Sequence, residues 1–464
     1  MWPTVILLML SCFPVRAALR AGAAAADITP QEWPVRLIGG FSLDLAQSAH
    51  DPLYARAIVL EEGSVRIAIA LIDSCYVKRE ELDRIKELAS KRTAIPTSRM
   101  MIAATHTHSA PPSRAQANDQ KEIRYVNRLV EQTAEAIVRA NQNLQEAKLG
   151  WAAVPVPEEL YNRRWYLREG SIEPNPFGER SDLVKMNPRA GSPELLHPAG
   201  SIDPEFFVLS IQSKAGKPLA LLANYSLHYV GGVPPNQVSA DYFGEFSRLV
   251  AQQLAPADSS FVALLTNGTS GDVNNINFLH PRPRSEPFER IRAVAGRLAT
   301  HAVRLANRIS YEDSAPVRMQ QQILRLRYRK PTPEQLRFAQ AALEQDDESK
   351  LPPRAKAYAQ RALALERGPE FADLKLQALR IGPVGITAIP CEVFTETGLT
   401  IKELSPLQPT FTIELANGHY GYLPTRRHYA LGGYETWLGT NNLEPEASAK
   451  ITRTLLALLE EVAK

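Results

Sequence analysis

The chain has 464 residues, 44% of them hydrophobic and 22% charged, which is the composition of an ordinary folded protein and not of a disordered or fibrous one. Its 53 basic and 50 acidic side chains leave a net charge of +3, and no dense Lys/Arg run is interleaved with aromatics. That balance gives no footing for a nucleic-acid partner.

The chain opens on a short apolar run, Val5-Ile6-Leu7-Leu8-Met9-Leu10-Ser11-Cys12-Phe13, followed by Val15-Arg16-Ala17. The run is too short to span a bilayer and reads as a secretory signal over residues 1–17, although no Lys or Arg precedes it. A mature protein over residues 18–464, a single domain that is secreted or periplasmic, is therefore expected. No later stretch is apolar over a membrane-spanning length. Only Cys75 and Cys391 then remain, too few for a disulfide framework, and the sequence leaves their pairing open.

Val65 to Ile72 is almost continuously apolar, the pattern of a strand covered on both faces, and it ends at Asp73. Lys78 to Lys91 places Leu82, Ile85, Leu88 and Ala89 at helical spacing. A second apolar strand, Met100 to Ala104, then runs into Thr105-His106-Thr107-His108-Ser109. A right-handed crossover makes the two strands parallel and brings Asp73 and His106 out at one sheet edge. If the strand continues, alternation puts both imidazoles on one side of the pleat, where they can share a metal or a substrate. Glu122 to Asn141 is a further amphipathic helix.

Residues 160–205, rich in Asn, Arg, Pro and Gly, read as a long irregular loop of the kind that tends to be functional. Leu219 to Ala223 leads to His228, and Phe261 to Leu265 leads to Gly268-Thr269-Ser270-Gly271-Asp272. The charged stretch 331–368, broken at Pro352-Pro353, reads as a solvated helical hairpin. Val384 to Ile389 leads to Pro390-Cys391-Glu392, and Phe411 to Ala416 leads to Asn417 and the tyrosines beyond. The expected fold is α/β, with mixed, largely parallel sheets flanked by helices and the active site at the carboxyl ends of the strands.

A zinc hydrolase needs three or four N/O ligands, an open coordination position and a group that moves protons. His106, His228 and Glu392 supply two imidazoles and a carboxylate at strand ends. Taken singly, His228 reads as structural, and Glu392 as the N-terminal carboxylate of a helix over Val393 to Leu404. His197, His280, His301, His419 and His428 read as surface or packing residues. A serine hydrolase fails on sequence, because Ser270 has Gly268 before it but Asp272, not glycine, after it. No nucleotide-binding glycine motif is present either.

Several segments, in order, resemble the catalytic domain of the neutral/alkaline non-lysosomal ceramidase family, secreted zinc amidases. They are Ala26-Asp27-Ile28-Thr29-Pro30, His50-Asp51-Pro52-Leu53-Tyr54-Ala55-Arg56-Ala57, Ala104 to Ser109, Asn162-Arg163, Ser239-Ala240-Asp241, Gly271-Asp272-Val273, Glu392, and Asn417 through Tyr434-Glu435. The resemblance implies zinc (Zn2+) held by His106, His228, Glu392 and Tyr422. It implies that His108 faces the substrate in a catalytic role, that Arg163 contacts the substrate, and that Tyr434 helps to stabilise the oxyanion. Asp272 falls among its catalytic positions, and Asn274 stands on the substrate side where ceramidases carry serine. Leu423 to Tyr429 lacks the acidic pair common in the family, and the chain matches the catalytic part without the immunoglobulin-like C-terminal domain of full ceramidases. The implied activity is hydrolysis of an N-acyl amide, with a small-molecule or lipid amide substrate and room for a peripheral membrane contact. An esterase or amidase acting on another small substrate is the alternative enzyme. Asn274 also keeps open a surface binding protein without turnover.

Overall fold

A computed structural model describes residues 18–40 and 44–464, so the expected signal segment lies outside the described residues. Eight strands form the larger sheet. In chain order they are β1 (Leu19–Asp27), β2 (Tyr54–Glu62), β3 (Val65–Ile72), β4 (Met100–Ala104), β5 (Gln145–Pro155), β6 (Glu205–Ser213), β7 (Pro218–Tyr225) and β8 (Val262–Asn267). Their spatial order is β8-β7-β6-β5-β1-β2-β3-β4. A second sheet has four strands in chain order, β9 (Val317–Arg327), β10 (Phe371–Ile381), β11 (Val384–Ile389) and β12 (Thr410–Glu414).

The mixed α/β class is as expected, but the share of parallel pairing is smaller. In the large sheet only β3–β4 and β7–β8 are parallel, and in the small sheet only β11–β12. The β3–β4 pair flanks the crossover that sequence periodicity exposes. The interior of the sheet is built from antiparallel neighbours, as where β2 turns into β3 at Gly63 with φ +60°. A hairpin strand buried on both faces is as continuously apolar as a parallel one, so composition alone does not separate them.

Both faces of the large sheet are covered. Along β3, Ala68, Ala70 and Ile72 face helices α1 (Arg79–Thr93) and α2 (Gln120–Gln142), while Ile67, Ile69 and Leu71 face the second sheet. Helices α3 (Asp241–Leu254) and α4 (Glu289–Ala306) cover β6, β7 and β8 through Phe243, Phe246, Val294 and Leu298. The C-terminal helix Ala447–Ala463 packs on the outer face of the small sheet. The layers therefore run helix, sheet, sheet, helix. Strand twist curls the large sheet until both edge strands, β4 and β8, touch β12. That curl carries the ends of distant strands to one place.

The long loop 160–205 contains short strands of its own, with Arg164–Leu167 flanked by Val184–Met186 and Leu195–Pro198. Residues 331–368 form the expected broken pair of helices, Pro333–Glu344 and Ala355–Arg367. One side of that pair is not solvated: Ala339, Tyr358 and Ala362 pack on Phe177 and Leu438. Cys75 and Cys391 are buried and unpaired. No helix among the described residues is long and apolar enough to cross a membrane.

Candidate metal centre

Strand β4 stops at Ala104, and His106 adopts a left-handed backbone conformation, φ +79°. That conformation is costly for a residue with a Cβ and persists where the surroundings hold it. Here Thr105 donates its N–H to the Ile72 carbonyl and His106 donates its own to the Ser74 carbonyl. The two imidazoles meet through this turn and not through continued strand alternation. His108 Nε2 lies 3.2 Å from His106 Nε2.

His106 Nδ1 donates to the Cys75 carbonyl at 2.8 Å, which frees Nε2. His228, beyond β7, is held the same way, with Nδ1 at 3.1 Å from the Ser270 carbonyl. The two Nε2 atoms then face each other at 3.0 Å, so a proton or a cation must stand between them. Glu392 brings Oε2 to 3.4 Å from His106 Nε2 and 3.9 Å from His228 Nε2. That oxygen is buried and has no hydrogen-bond partner among the described residues.

Glu392 reaches this point through a two-residue parallel bridge in which it lies opposite Tyr422. The Tyr422 phenol faces Glu392 and Arg163, with the Arg163 guanidinium 5.2 Å from the ring centroid. Burial pushes the Tyr422 hydroxyl well above its usual range, opposed by Arg163. Burial also pushes His108 and His228 well below theirs, His106 adding to it at both and Arg163 more strongly at His228, which keeps these rings neutral. The Glu392 carboxylate moves the other way: burial raises it, but the facing His106 imidazole holds it well below the usual range.

Burial would lower His106, but Cys75 and the facing Glu392 carboxylate hold it well above its usual range, so a bound cation would take the place of its proton. The donor set suits a borderline divalent cation such as zinc: two imidazoles whose Nδ1 groups are fixed by carbonyls, an ionised carboxylate with one oxygen lacking a hydrogen-bond partner among the described residues, and a phenol. His106, His228 and Glu392 offer ligand atoms all within 4.8 Å of one another. Among the described residues Glu392 pairs with histidines and not with a Lys or Arg, so a bound cation would take over the counter-charge that a protonated His106 otherwise supplies.

The other sequence candidates fall around this cluster at different depths. His108 stacks on Tyr229 at 3.7 Å between ring centroids and closes one side. Arg163 is buried, donates from Nε to Glu435 at 3.0 Å, and keeps Nη2 without a partner among the described residues. Tyr434 lies one ring beyond Tyr422, 5.7 Å between centroids, and lines a cavity of about 450 Å³ with Asn187, Trp437 and Arg354.

Asp272 is not brought into the cluster. Its Oδ1 accepts from the Thr395 N–H at 2.9 Å and hydroxyl at 3.0 Å, and its Oδ2 accepts from Asn162 at 2.8 Å. It therefore pins the start of helix Thr395–Leu404 to the segment that carries Arg163. Asn274 donates its side-chain amide to Asn187 Oδ1 at 2.5 Å, which ties it to the wall of the Tyr434 cavity.

Sequence reasoning missed His419, read as a surface or packing residue. Its Nε2 lies 3.2 Å from Glu392 Oε1, and its ring stacks on Tyr76 at 4.2 Å. The signal available was its place in the Asn417–Tyr422 segment, five residues past the end of β12. His428 is buried in packing, with Nε2 3.2 Å from Glu396 Oε1.

A profile of the family described as neutral/alkaline non-lysosomal ceramidase, N-terminal, matches residues 19–281. The neutral ceramidase of Pseudomonas aeruginosa is 25% identical over 304 residues, which cover 61% of this chain and 42% of that protein. The chain thus aligns with less than half the length of this curated relative. The crystal structure of neutral ceramidase from Pseudomonas aeruginosa superposes on 96% of this chain and 75% of its own, with TM-score 0.69 and 21% identity. A ceramidase complexed with C2 superposes over the same shares with TM-score 0.71 and 19% identity. With the profile spanning more than half of its residues, the chain belongs to the neutral/alkaline non-lysosomal ceramidase family.

Proposed function

We propose that this chain is a secreted zinc-dependent amidohydrolase that cleaves the N-acyl bond of a lipid amide of the ceramide class. The observation that carries the reading is the buried Glu392 Oε2, without a hydrogen-bond partner among the described residues and directed at the facing Nε2 atoms of His106 and His228. Family membership and the likeness to a ceramidase complexed with C2 support the substrate class.

His106, His228, Glu392 and Tyr422 would hold the metal. Zinc, when bound, supplies Lewis acidity towards the amide carbonyl and towards water. The His108 ring, with Nε2 turned into the cluster, accepts the proton of the attacking water. Arg163 directs its free Nη2 N–H groups to the substrate, anchored from behind by Glu435. The Tyr434 phenol donates to the negative charge that develops on the carbonyl oxygen. Asn274 acts through Asn187 on the cavity wall, in the place of the family serine hydroxyl. Secretion rests on the apolar run within residues 1–17.

One observation favours a second substrate reading. The cavity beside Tyr434 is lined by Glu173, Asp182, Lys185 and Arg354 as well as by apolar groups, a setting for an amide or ester with a polar leaving part. Metal analysis of the purified protein, with hydrolysis of short and long N-acyl amides and His106→Ala as control, separates these outcomes. Turnover of ceramide with one zinc per chain supports the first reading, and turnover of short polar amides alone supports the second. Bound zinc with no turnover of either would make the chain a binding protein.

A further inference from the structure

Behind the cluster stands a carboxylate that none of these roles uses. Glu414, the last residue of β12, is fully buried. Its Oε1 accepts the Ser270 hydroxyl at 2.6 Å, and its Oε2 accepts the Val393 N–H at 2.7 Å and the Ser270 N–H at 3.3 Å. Ser270 in turn presents its carbonyl and Oγ to His228 Nδ1, at 3.1 and 3.2 Å. Val393 follows Glu392 directly in the chain. One side chain therefore holds the group that fixes the His228 tautomer and the backbone that carries Glu392.

The third ligand segment is tied to the same strand end. Leu415, next in sequence and at φ +53°, accepts the Ala104 N–H at 3.2 Å and donates its own N–H to the Cys391 carbonyl at 3.1 Å. Ala104 lies two residues before His106. Among the described residues, the hydrogen bonds to Glu414 come from neutral donors. A carboxylate buried without a cationic partner is costly, and a nearby dication reduces that cost.

We propose that Glu414 is a positioning residue of the metal centre, acting through Ser270 on His228 and through Val393 on Glu392 to set the distance between two ligands. The proposal rests on the metal-centre reading given above. Partners behind metal ligands typically change metal affinity by about 10–100-fold when removed. Glu414→Gln keeps the size of the side chain and an acceptor for the Val393 N–H, but it presents an amide donor to Ser270 Oγ, which reverses that hydrogen bond and turns the hydroxyl proton away from residue 414, beside His228 Nδ1.

The test is zinc affinity of the metal-stripped full chain, measured against a chromophoric chelator, together with the visible spectrum of the Co2+-loaded form. The series is wild type, Glu414→Gln, Ser270→Ala, Ser270→Thr and His106→Ala. We expect Glu414→Gln to remain folded by circular dichroism, to bind zinc about 10–100-fold more weakly and to show a shifted Co2+ spectrum. Ser270→Ala loses affinity towards the lower end of that range, and Ser270→Thr, which keeps the hydroxyl, restores it. Wild-type affinity and an unchanged Co2+ spectrum in folded Glu414→Gln overturn the proposal. Should Glu414→Gln fail to fold, the Ser270 pair decides: loss with alanine and recovery with threonine supports it, and equal affinity in both overturns it. A wild type that binds zinc no better than His106→Ala would sink the metal-centre reading itself, and the proposal with it.

Discussion

Glu392 and Tyr422, thirty positions apart in sequence, lie directly opposite each other in a parallel bridge only two residues long. The bridge fixes a carboxylate beside a phenol, while its second pair, Val393 and Leu423, packs into the core. Thr440 accepts the Tyr422 N–H, and Asn441 donates its side-chain amide to the Tyr422 carbonyl at 2.9 Å, so the phenol is held from both sides of its backbone.

If both side chains bind the metal, each should cost at least as much as an outer partner would. Tyr422→Phe keeps the ring beside Arg163 and removes only the oxygen; it is expected to weaken zinc binding on the order of tenfold. Glu392→Gln is expected to cost about a hundredfold or more. Chelator competition checks both. A Tyr422→Phe protein with unchanged affinity and rate would reduce the tyrosine to aromatic packing.

His108 can be displaced without being mutated. A Cβ on Gly39, which sits at φ +104°, would lie 2.5 Å from the His108 ring. Gly39→Ala should therefore lower kcat while zinc content stays at the wild-type level, because His106, His228, Glu392 and Tyr422 are untouched. Metal analysis beside steady-state kinetics reads the two separately. Loss of zinc in this variant would make His108 a ligand and not a proton acceptor.

Arg163 and Arg164 share one counter-ion. Glu435 is fully buried, accepting from Arg163 Nε at 3.0 Å and from Arg164 Nη1 at 2.6 Å. Glu435→Ala leaves two buried guanidiniums without it, a loss expected to destabilise the fold by about 3–5 kcal/mol. Urea unfolding measures it. A change below about 1 kcal/mol would mean that the arginines are held by their other contacts.

Lys86 gives the chain a pH-dependent stability unrelated to the metal. Its ammonium is buried on α1, and its hydrogen-bond acceptor is the Asn417 amide oxygen at 2.7 Å. Burial, reinforced by Lys375, lowers it to about 7. Between pH 7 and the unfolded value near 10.5 the unfolded chain holds a proton that the folded chain has given up. Stability therefore rises with pH across that window, and the cost of the buried charge is fully present below it. Lys86→Met removes this contribution, so the stability of the variant relative to wild type should be greatest at pH 6 and should shrink as the pH climbs towards 10. Urea midpoints at several pH values test it; a difference independent of pH would contradict it.

Much of this arrangement is legible in the sequence because the ligand-bearing segments are short and local. The apolar run Met100 to Ala104 ending in His106 and the run Val384 to Ile389 ending near Glu392 are strands for the reasons their composition suggests. What the sequence hides is long-range. The antiparallel core of the large sheet is invisible because strands buried on both faces look alike in either direction. Glu414 passes for an ordinary strand residue, since its importance comes from Ser270 and Val393, which are distant in the chain. Asp272 misleads in the opposite way: it sits in a family motif, yet its carboxylate is spent on Thr395 and Asn162.

The central claim is that one divalent cation joins His106, His228, Glu392 and Tyr422. It is tested most directly by a crystal structure of the zinc-loaded protein with anomalous diffraction at the zinc edge. The account predicts a single strong peak about 2.0–2.1 Å from both Nε2 atoms, with a Glu392 oxygen and the Tyr422 oxygen also in bonding range. A zinc-saturated crystal with no peak between those imidazoles, or with its peak at another site, would contradict it.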